Sequence, residues 1–498
     1  MTLSYIPSDT NDEGIFKANA SGSLPSGKPV IVNADGTVSV VSGSTVSSSV
    51  GSSAVLDVAC EANMNAVYDV GSNRTVFFYR GASNAGKCVV GTVAANNTVS
   101  FGSISEFEDG SVDSEVAATY HAAAGKIVVV FRDSGDSGYA KARVGTVDPS
   151  DNSISFGTVV TFYSASSRKV NVIYSSAAQK VVVVYSDVPG GNDGLAKVGS
   201  VSGTDISFGN QATFESGAVG GTEVGMAYDS NADRVILSYR DQNSSGVGTA
   251  IVGAISGTSI SFGTKAVFNS SSTYGLSSVY DSVAQKVLLT YLGTGIEALV
   301  GTVDPSDNSI TYGSSVTVKS DGVGTASTVY DVNAKFAVVV YGYAANDSKV
   351  ALKNGTISGT SVSFGSEIML DNTSGNSTTI ANGPNGSAYD SSLSKIVSSY
   401  TTNPNGDGPV GKYVVSQNGY NSTNLTSENY IGISTGGTYA SGSNATVKII
   451  GNTSNEQSSL TAGQSYFVQT DGTLGLTAAD PSVFAGTAIS ATRLIVKT

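Results

Sequence analysis

Arg80, Arg132 and Arg240 each directly follow an aromatic residue that closes an apolar, β-rich run. Asp133, Asp187 and Asp241 stand two residues beyond such an aromatic. A guanidinium presents a planar fork of donors to a carboxylate, so clustered arginines at a loop face suit recognition of an anionic sugar. The same residues can instead pair with each other as solvated strand-end charges. Neither reading breaks a covalent bond.

Catalytic groups are sparse. His121 is the one histidine, and it stands where five other repeats carry Asp69, Asp229, Asp281, Asp331 and Asp390, and a sixth carries Ser175. That position opens a turn, where an Asp side chain accepts backbone N–H bonds, so His121 reads as a turn residue and no triad is expected. No His/Cys cluster has zinc spacing, and no Gly-rich phosphate loop precedes a Lys-Ser/Thr pair. Some propellers cleave glycosides with paired carboxylates, but the Ser-x-Asp-x-Gly-x-x-Trp box is missing and the chain has no Trp. Asp133–Asp136 and Asp148–Asn152 offer oxygen ligands for calcium. The second recurs unchanged at Asp304–Asn308, which favours turn chemistry over a metal. No catalytic residue, metal or cofactor is expected.

The arginines belong to a repeat. Tyr68/Tyr79, Tyr120/Phe131, Tyr174/Tyr185, Tyr228/Tyr239, Tyr280/Tyr291, Tyr330/Tyr341 and Tyr389/Tyr400 are seven aromatic pairs, each eleven residues apart. A β-rich period of about 50 residues marks a propeller or solenoid. Within one unit, Ser114–His121, Lys126–Phe131, the segment ending at Val147, and Ser153–Gly157 read as four antiparallel strands. The expected fold is all-β: a seven-bladed β-propeller of four-stranded antiparallel blades, with a small C-terminal β-module.

A fourth-strand signal of Phe or Tyr before Gly recurs six times, at Phe101, Phe156, Phe208, Phe262, Tyr312 and Phe364. Seven pairs against six such strands predict that the last blade borrows a strand. Thr37–Ser42 is the expected donor, pairing near Tyr413–Val415; Tyr430–Ile433 is the competitor. The expected division is an N-terminal anchor over 1–35, the propeller over 36–418 and the C-terminal module over 419–498. The first and third hairpins keep their lengths while the second-to-third loops and the interblade links vary. One face is therefore regular and the opposite face irregular, and Arg80, Arg132, Asp133, Asp187, Arg240 and Asp241 fall on the irregular one, where binding is expected.

The two ends share a register. Leu24-x-x-Gly27-x4-Val32-x-x-Asp35-Gly36-Thr37 matches Leu460-x-x-Gly463-x4-Val468-x-x-Asp471-Gly472-Thr473. Each reads as a strand entering an Asp-Gly turn, in small modules that dock to one another or to a neighbouring subunit. The stretch Leu460–Gln469 with Asp471–Leu474, closing through Ala479–Ala488 and Leu494–Lys497, resembles a module of virion proteins of tailed bacteriophages, marine and cyanobacterial ones especially. Leu24–Val38 resembles it more weakly. The resemblance implies a structural or appendage protein of a virus particle, such as a tail or head fibre, and implies no catalytic residues.

Gly, Ser, Thr and Asn stand in for the scarce charged residues, a mix that suits short strands joined by tight turns. Charged residues are 13% and the formal net charge is −13, with no basic patch for nucleic acid. No 18-residue apolar run offers a membrane span, and Met1–Tyr5 lacks a secretory leader. Cys60 and Cys88 are expected as free thiols. The expected role is a virion appendage, made in the host cytoplasm and homo-oligomeric. Its partners are other virion proteins and a host surface glycan or receptor. A decoration protein without a receptor role is the alternative, and a glycan-processing enzyme the lesser one.

Overall fold

A computed structural model describes residues 14–497 apart from 321–322, 344–348, 373–377, 381–385, 403–408 and 480. The described chain is all-β, with one 3-10 turn at Ala82–Asn84. It forms two units, Ser48–Asn418 and a second that joins Met1–Ser47 to Gly419–Thr498. The two ends of the chain thus build one body, not the separate segments 1–35 and 419–498, and the repeat unit begins at 48 instead of 36. Part of the expected N-terminal anchor, 1–13, and most of the long link between Leu370 and Ala388 lie outside the described residues.

In the repeat unit the strands follow chain order. One repeat consists of Val112–His121, Lys126–Asp133, Tyr139–Asp148 and a fourth strand in two pieces, Ser153–Phe156 and Val160–Tyr163. The second strand is apolar on both sides because both sides are packed: Ile127 to Phe131 are all 0% exposed. Its neighbours in the core come from adjacent repeats, as where Val128 and Val130 join Val181 and Val183 in one cluster. The first strands of the repeats touch in cyclic order, and Ser387–Asp390 of the last meets Cys60–Asp69 of the first.

Two devices recur at the junctions between repeats. In five of the six Phe/Tyr-Gly pairs the glycine faces the turn of the next repeat. A methyl on Gly102, Gly157, Gly209, Gly263 or Gly313 would sit 1.9–2.1 Å from the carbonyl oxygen of Asn152, Thr204, Thr258, Asn308 or Thr360. Only a residue without Cβ admits that approach. The second device is the first Tyr of each pair, whose hydroxyl reaches the turn of the preceding repeat. Tyr120 accepts from Gly71 N–H at 3.1 Å, Tyr174 from Ala123 at 3.2 Å and Tyr228 from Ala177 at 3.2 Å.

The ring is closed by an N-terminal segment, though not the expected one. Ser49–Val50 and Ala54–Asp57 pair with Val410–Gln417, through Val50↔Ser416 and Ala54↔Tyr413. Gly51 then takes the glycine role, 2.6 Å from the Asn97 carbonyl for a built methyl. Lys395, 2% exposed, spans the same junction and donates to Ala94 O, Ala95 O and Asn97 Oδ1 at 2.8, 2.7 and 2.6 Å. Gly365 has only Asn354 O of its own repeat at 3.8 Å, because the last repeat's third and fourth strands come from opposite ends of the unit and no turn joins them. Thr37–Ser42 and Tyr430–Ile433, the two segments proposed for closure, both belong to the other unit.

That unit contains one five-stranded sheet twice. The first has the order Ile15–Asn19, Asn444–Lys448, Tyr430–Thr435, Pro29–Val32, Val38–Val40. The second has the order Thr453–Ser454, Arg493–Val496, Val483–Ser490, Ser465–Val468, Leu474–Gly475. In both, the strands run first, fifth, fourth, second, third. Individual bonds repeat too: Gly27 N donates to Ser434 O as Gly463 N does to Ala488 O, each at 2.8 Å. Asp35 Oδ1 caps Thr37 N at 3.0 Å and Asp471 Oδ1 caps Thr473 N at 2.9 Å. The shared register of the two ends is therefore a shared module. The second copy is continuous. The first is split, with the whole repeat unit lying in the connection between its third and fourth strands.

Candidate functional site

The regular side of the repeat unit is occupied by structure. The Asp after each first Tyr caps its turn: Asp229 Oδ1 accepts from Asn231 and Ala232 N–H at 2.9 Å, and Asp281 Oδ1 from Val283 and Ala284 at 2.9 Å. His121 does the same through Nδ1, which accepts from Ala124 N–H at 3.2 Å, while Nε2 lies 3.2 Å from Gln179 O. Its ring packs on Tyr174 at 4.5 Å, and burial holds its pKa below the ordinary 6.5. Between the first strands lies a cavity of about 510 Å³, lined by the first Tyr of each repeat, Tyr68, Tyr120, Tyr174, Tyr228, Tyr280, Tyr330 and Tyr389, and mostly by the residues just before it. The hydroxyls of Tyr280, Tyr330 and Tyr389 point at Asp229, Asp281 and Asp331, and burial is the main cause of their raised pKa.

The opposite end of the first strands is built differently. Six of them break register just after they start, between Ala62 and Asn65, Val112 and Val116, Arg168 and Asn171, Gly220 and Gly225, Tyr274 and Ser277, and Val323 and Ala326. Bulges of this kind re-aim side chains and cluster beside binding sites. Lys169 adopts φ 58° within its bulge. Charged and aromatic residues stand in or beside three of these breaks: Asp113, Glu115 and Lys169 lie within them, and Arg168 and Tyr274 are the last paired residues before them.

These side chains form two groups. Asp113 lies between Arg80, 4.0 Å away, and Arg132, to which it is directly ion-paired. Arg132 also donates from Nε to Ser167 O at 2.7 Å, so it spans two repeats. Glu115 lies in the same strand as Asp113; burial lifts its carboxyl above the usual range while nearby Lys169 pulls it down. Lys169 donates to Gly221 O. In the second group the Arg240 guanidinium stacks over the Tyr274 ring at 4.4 Å and reaches Ser272 Oγ at 3.1 Å. Tyr274 is 45% exposed, whereas the second-position aromatics of the repeats are buried.

The six residues singled out in the sequence thus separate. Arg80 and Arg132 meet at Asp113, and Arg240 stands apart on Tyr274. Asp133, Asp187 and Asp241 are loop caps: Asp133 Oδ1 accepts from Asp136 N–H at 3.1 Å, Asp187 Oδ1 from Gly190 at 3.1 Å, and Asp241 Oδ1 from Asn243 and Ser244 at 3.0 and 3.2 Å. The suspected calcium loop at Asp133–Asp136 holds a lysine, with Lys141 Nζ 2.7 Å from Asp133 and 2.9 Å from Asp136. The turn Asp148–Asn152 receives Arg74 from the preceding repeat, and Asp304–Asn308 receives Arg234, at 2.6 and 2.5 Å to the Asn side chains. That shared duty explains the shared sequence. Among the described residues no group of three or more His, Cys, Asp or Glu is placed to hold a metal ion. Cys60 and Cys88 are buried, and neither forms a disulfide.

Sequence reasoning passed over Asp113, Glu115, Lys169 and Tyr274. They sit five to seven residues before the first Tyr of their repeats, and charged or aromatic residues within that window are the signal that could have found them.

No family model matches the chain, and no curated protein does. Solved structures with some likeness include the SapL1 lectin in complex with alpha methyl fucoside, 12% identical, TM-score 0.40, covering 63% of this chain and 98% of that one. A putative 6-phosphogluconolactonase from Bacteroides uniformis ATCC 8492 is 9% identical, TM-score 0.47, covering 70% and 97%. A protein of unknown function from Dyadobacter fermentans DSM 18053 is 10% identical, TM-score 0.42, covering 75% and 99%. All three are distant, and nothing of their ligands or activities is carried to this chain.

Proposed function

We propose that this chain is a non-catalytic, carbohydrate-binding protein on a seven-bladed propeller, carried on a virus particle as an appendage. The observation that carries the binding reading is the Arg240–Tyr274 pair. An exposed aromatic ring offers a flat apolar surface to the C–H face of a sugar, and a guanidinium fixed beside it offers planar donors to hydroxyls or a carboxylate. Ser272 lies alongside at the end of the strand Ala266–Ser272, and Asn269 of that strand donates to Thr273 Oγ1 at 2.8 Å. The Arg80–Asp113–Arg132 group adds a second charged contact on the same side. The virion setting is supported by the resemblance of the terminal segments to phage virion modules, with the terminal unit as the mount.

The test is retention of the purified protein on a panel of neutral and acidic surface polysaccharides, with the reducing ends of each glycan assayed after incubation. Binding should weaken about tenfold, roughly 1.4 kcal/mol, in Tyr274→Ala with its melting temperature unchanged. Wild-type protein that binds no glycan at about 100 µM overturns the binding reading and leaves decoration of the particle. New reducing ends overturn the non-catalytic reading. Absence of the chain from purified particles overturns the virion setting.

A further inference from the structure

The two modules of the terminal unit pack head to tail. The split module turns its back face to the continuous one: Ile31, Val41, Tyr430 and Ile433 join Tyr466, Val468, Val483, Ala485, Leu494 and Val496 in one cluster. Tyr430 donates its hydroxyl to Ala485 O at 3.4 Å, and Thr435 Oγ1 and Lys448 Nζ lie 2.5 and 3.7 Å from the Glu456 carboxylate. So the back of one copy covers the inner face of the other. Such an interface is heterologous and leaves each of its halves unused once.

Both unused halves are visible. On the continuous module the strand register places Phe467, Phe484, Ile489 and Ile495 where the split module has Ile31, Tyr430, Thr435 and Lys448. Ile31 and Tyr430 are 2% and 6% exposed; Phe467 and Phe484 stay only half-buried, and Ile489 is 42% exposed. Conversely, Val468, Ala485 and Val496 are 0% exposed beneath the split module, whereas their counterparts Val32, Ile431 and Ile449 are half-buried. The contact residues have changed together. Where Thr435 and Lys448 meet the charge of Glu456, their counterparts are Ile489 and Ile495, and the counterpart of Glu456 is Ala18, so a polar contact is replaced by an apolar one on both sides.

We propose that the occupant of both halves is a second copy of this chain. The back face of its continuous module seats on the inner rim of a neighbour's split module, so the internal stack continues from chain to chain. Because the interface is heterologous, the assembly is a closed ring or an open stack. The proposal is independent of what the repeat unit binds.

The test is the mass of the full chain by light scattering at about 10–100 µM. Wild type should weigh a multiple of one chain. Ile489→Asp disables the back face and Ile449→Asp the rim, so each alone should be monomeric, and a 1:1 mixture should give a heterodimer through the one intact pair. A second measurement does not depend on those variants folding. Within the chain, Gly43 approaches the Thr470 carbonyl, 2.6 Å for a built methyl. Their counterparts are Ala479 and Ala34. The double variant Ala34→Cys, Ala479→Cys should form disulfide-linked multimers on mild oxidation, and neither single variant should give more than a dimer. A monomeric wild type, a mixture that stays monomeric, variants that associate unaided, or a double variant without multimers would each overturn the proposal. Binding of a different protein to this face by an otherwise monomeric chain would do so as well.

Discussion

The Gly71 amide donates to the Tyr120 hydroxyl at 3.1 Å, joining the turn of one repeat to the first strand of the next. Tyr174 and Tyr228 make the same bond to Ala123 and Ala177, so the fold's most regular sequence feature includes a tie between repeats. Its constant spacing comes from the hairpin that pairs the first and second strands of each repeat, and the ties leave the regular side little freedom for ligand recognition.

The glycine approaches give a matched pair of outcomes. In Gly209→Ala the new methyl would lie 2.0 Å from Thr258 O, a backbone atom that cannot swing away. A loss of about 1–3 kcal/mol is expected, as for overpacking that forces backbone shifts. Gly365→Ala meets nothing closer than 3.8 Å and should change stability by less than about 0.5 kcal/mol. Denaturant melts of the two variants check the difference; equal losses would contradict the account of the missing last turn.

Lys395 holds the first and last repeats together through three acceptors. Lys395→Met should keep the aliphatic packing and leave those acceptors without a donor. Hydrogen bonds to charged groups contribute about 1.5–3 kcal/mol, so a loss of roughly 3 kcal/mol is expected. Hydrogen exchange should show the largest new opening at Val410–Gln417 and at the Ala94–Thr98 turn.

His121 carries a pH signature. Burial lowers its pKa in the folded chain, and Nδ1 must stay unprotonated to accept from Ala124 N–H. Below the ordinary 6.5 the unfolded chain binds the proton more readily than the folded one, so stability falls as pH drops from 6.5 toward the lowered value. His121→Asp, the residue used by five other repeats, should remove that slope. Melting temperatures of both proteins between pH 7 and pH 5.5 report it, and parallel curves would refute the assignment.

The fragment 48–418 contains every repeat and the closing segment Ser49–Asp57. It should fold cooperatively when expressed alone. A fragment starting at 58 exposes the edge of Val410–Gln417 and should aggregate. Size-exclusion profiles of the two fragments decide the matter.

Much of this architecture was legible in the residues themselves. The Tyr spacing announced the strand pair, the Asp after each first Tyr announced a capped turn, and Leu24–Thr37 against Leu460–Thr473 announced two like hairpins. The closing strand was missed for a local reason. Val50-Gly51 plays the part of Phe101-Gly102 without the aromatic, whereas Thr37–Ser42 has better strand character and is spoken for elsewhere. Of the six residues read from the sequence, Arg80, Arg132 and Arg240 stand in the charged and aromatic groups, whereas Asp133, Asp187 and Asp241 spend their oxygens on loop amides. Asp113 lies in a bulge and Tyr274 beside one, and bulges depend on pairing between strands, which the spacing of the Tyr pairs does not report.

The split module also sets an order of events. Its first three strands emerge early in synthesis, yet their partner Tyr430–Thr435 follows Val40 by about 390 residues. At 5–20 residues per second, that partner arrives on the order of 20–80 s later. In the interval the repeat unit is made in full. The surface proposed for joining chains can exist only on a polypeptide whose repeat unit is already complete, so unfinished chains are barred from the assembly by timing alone.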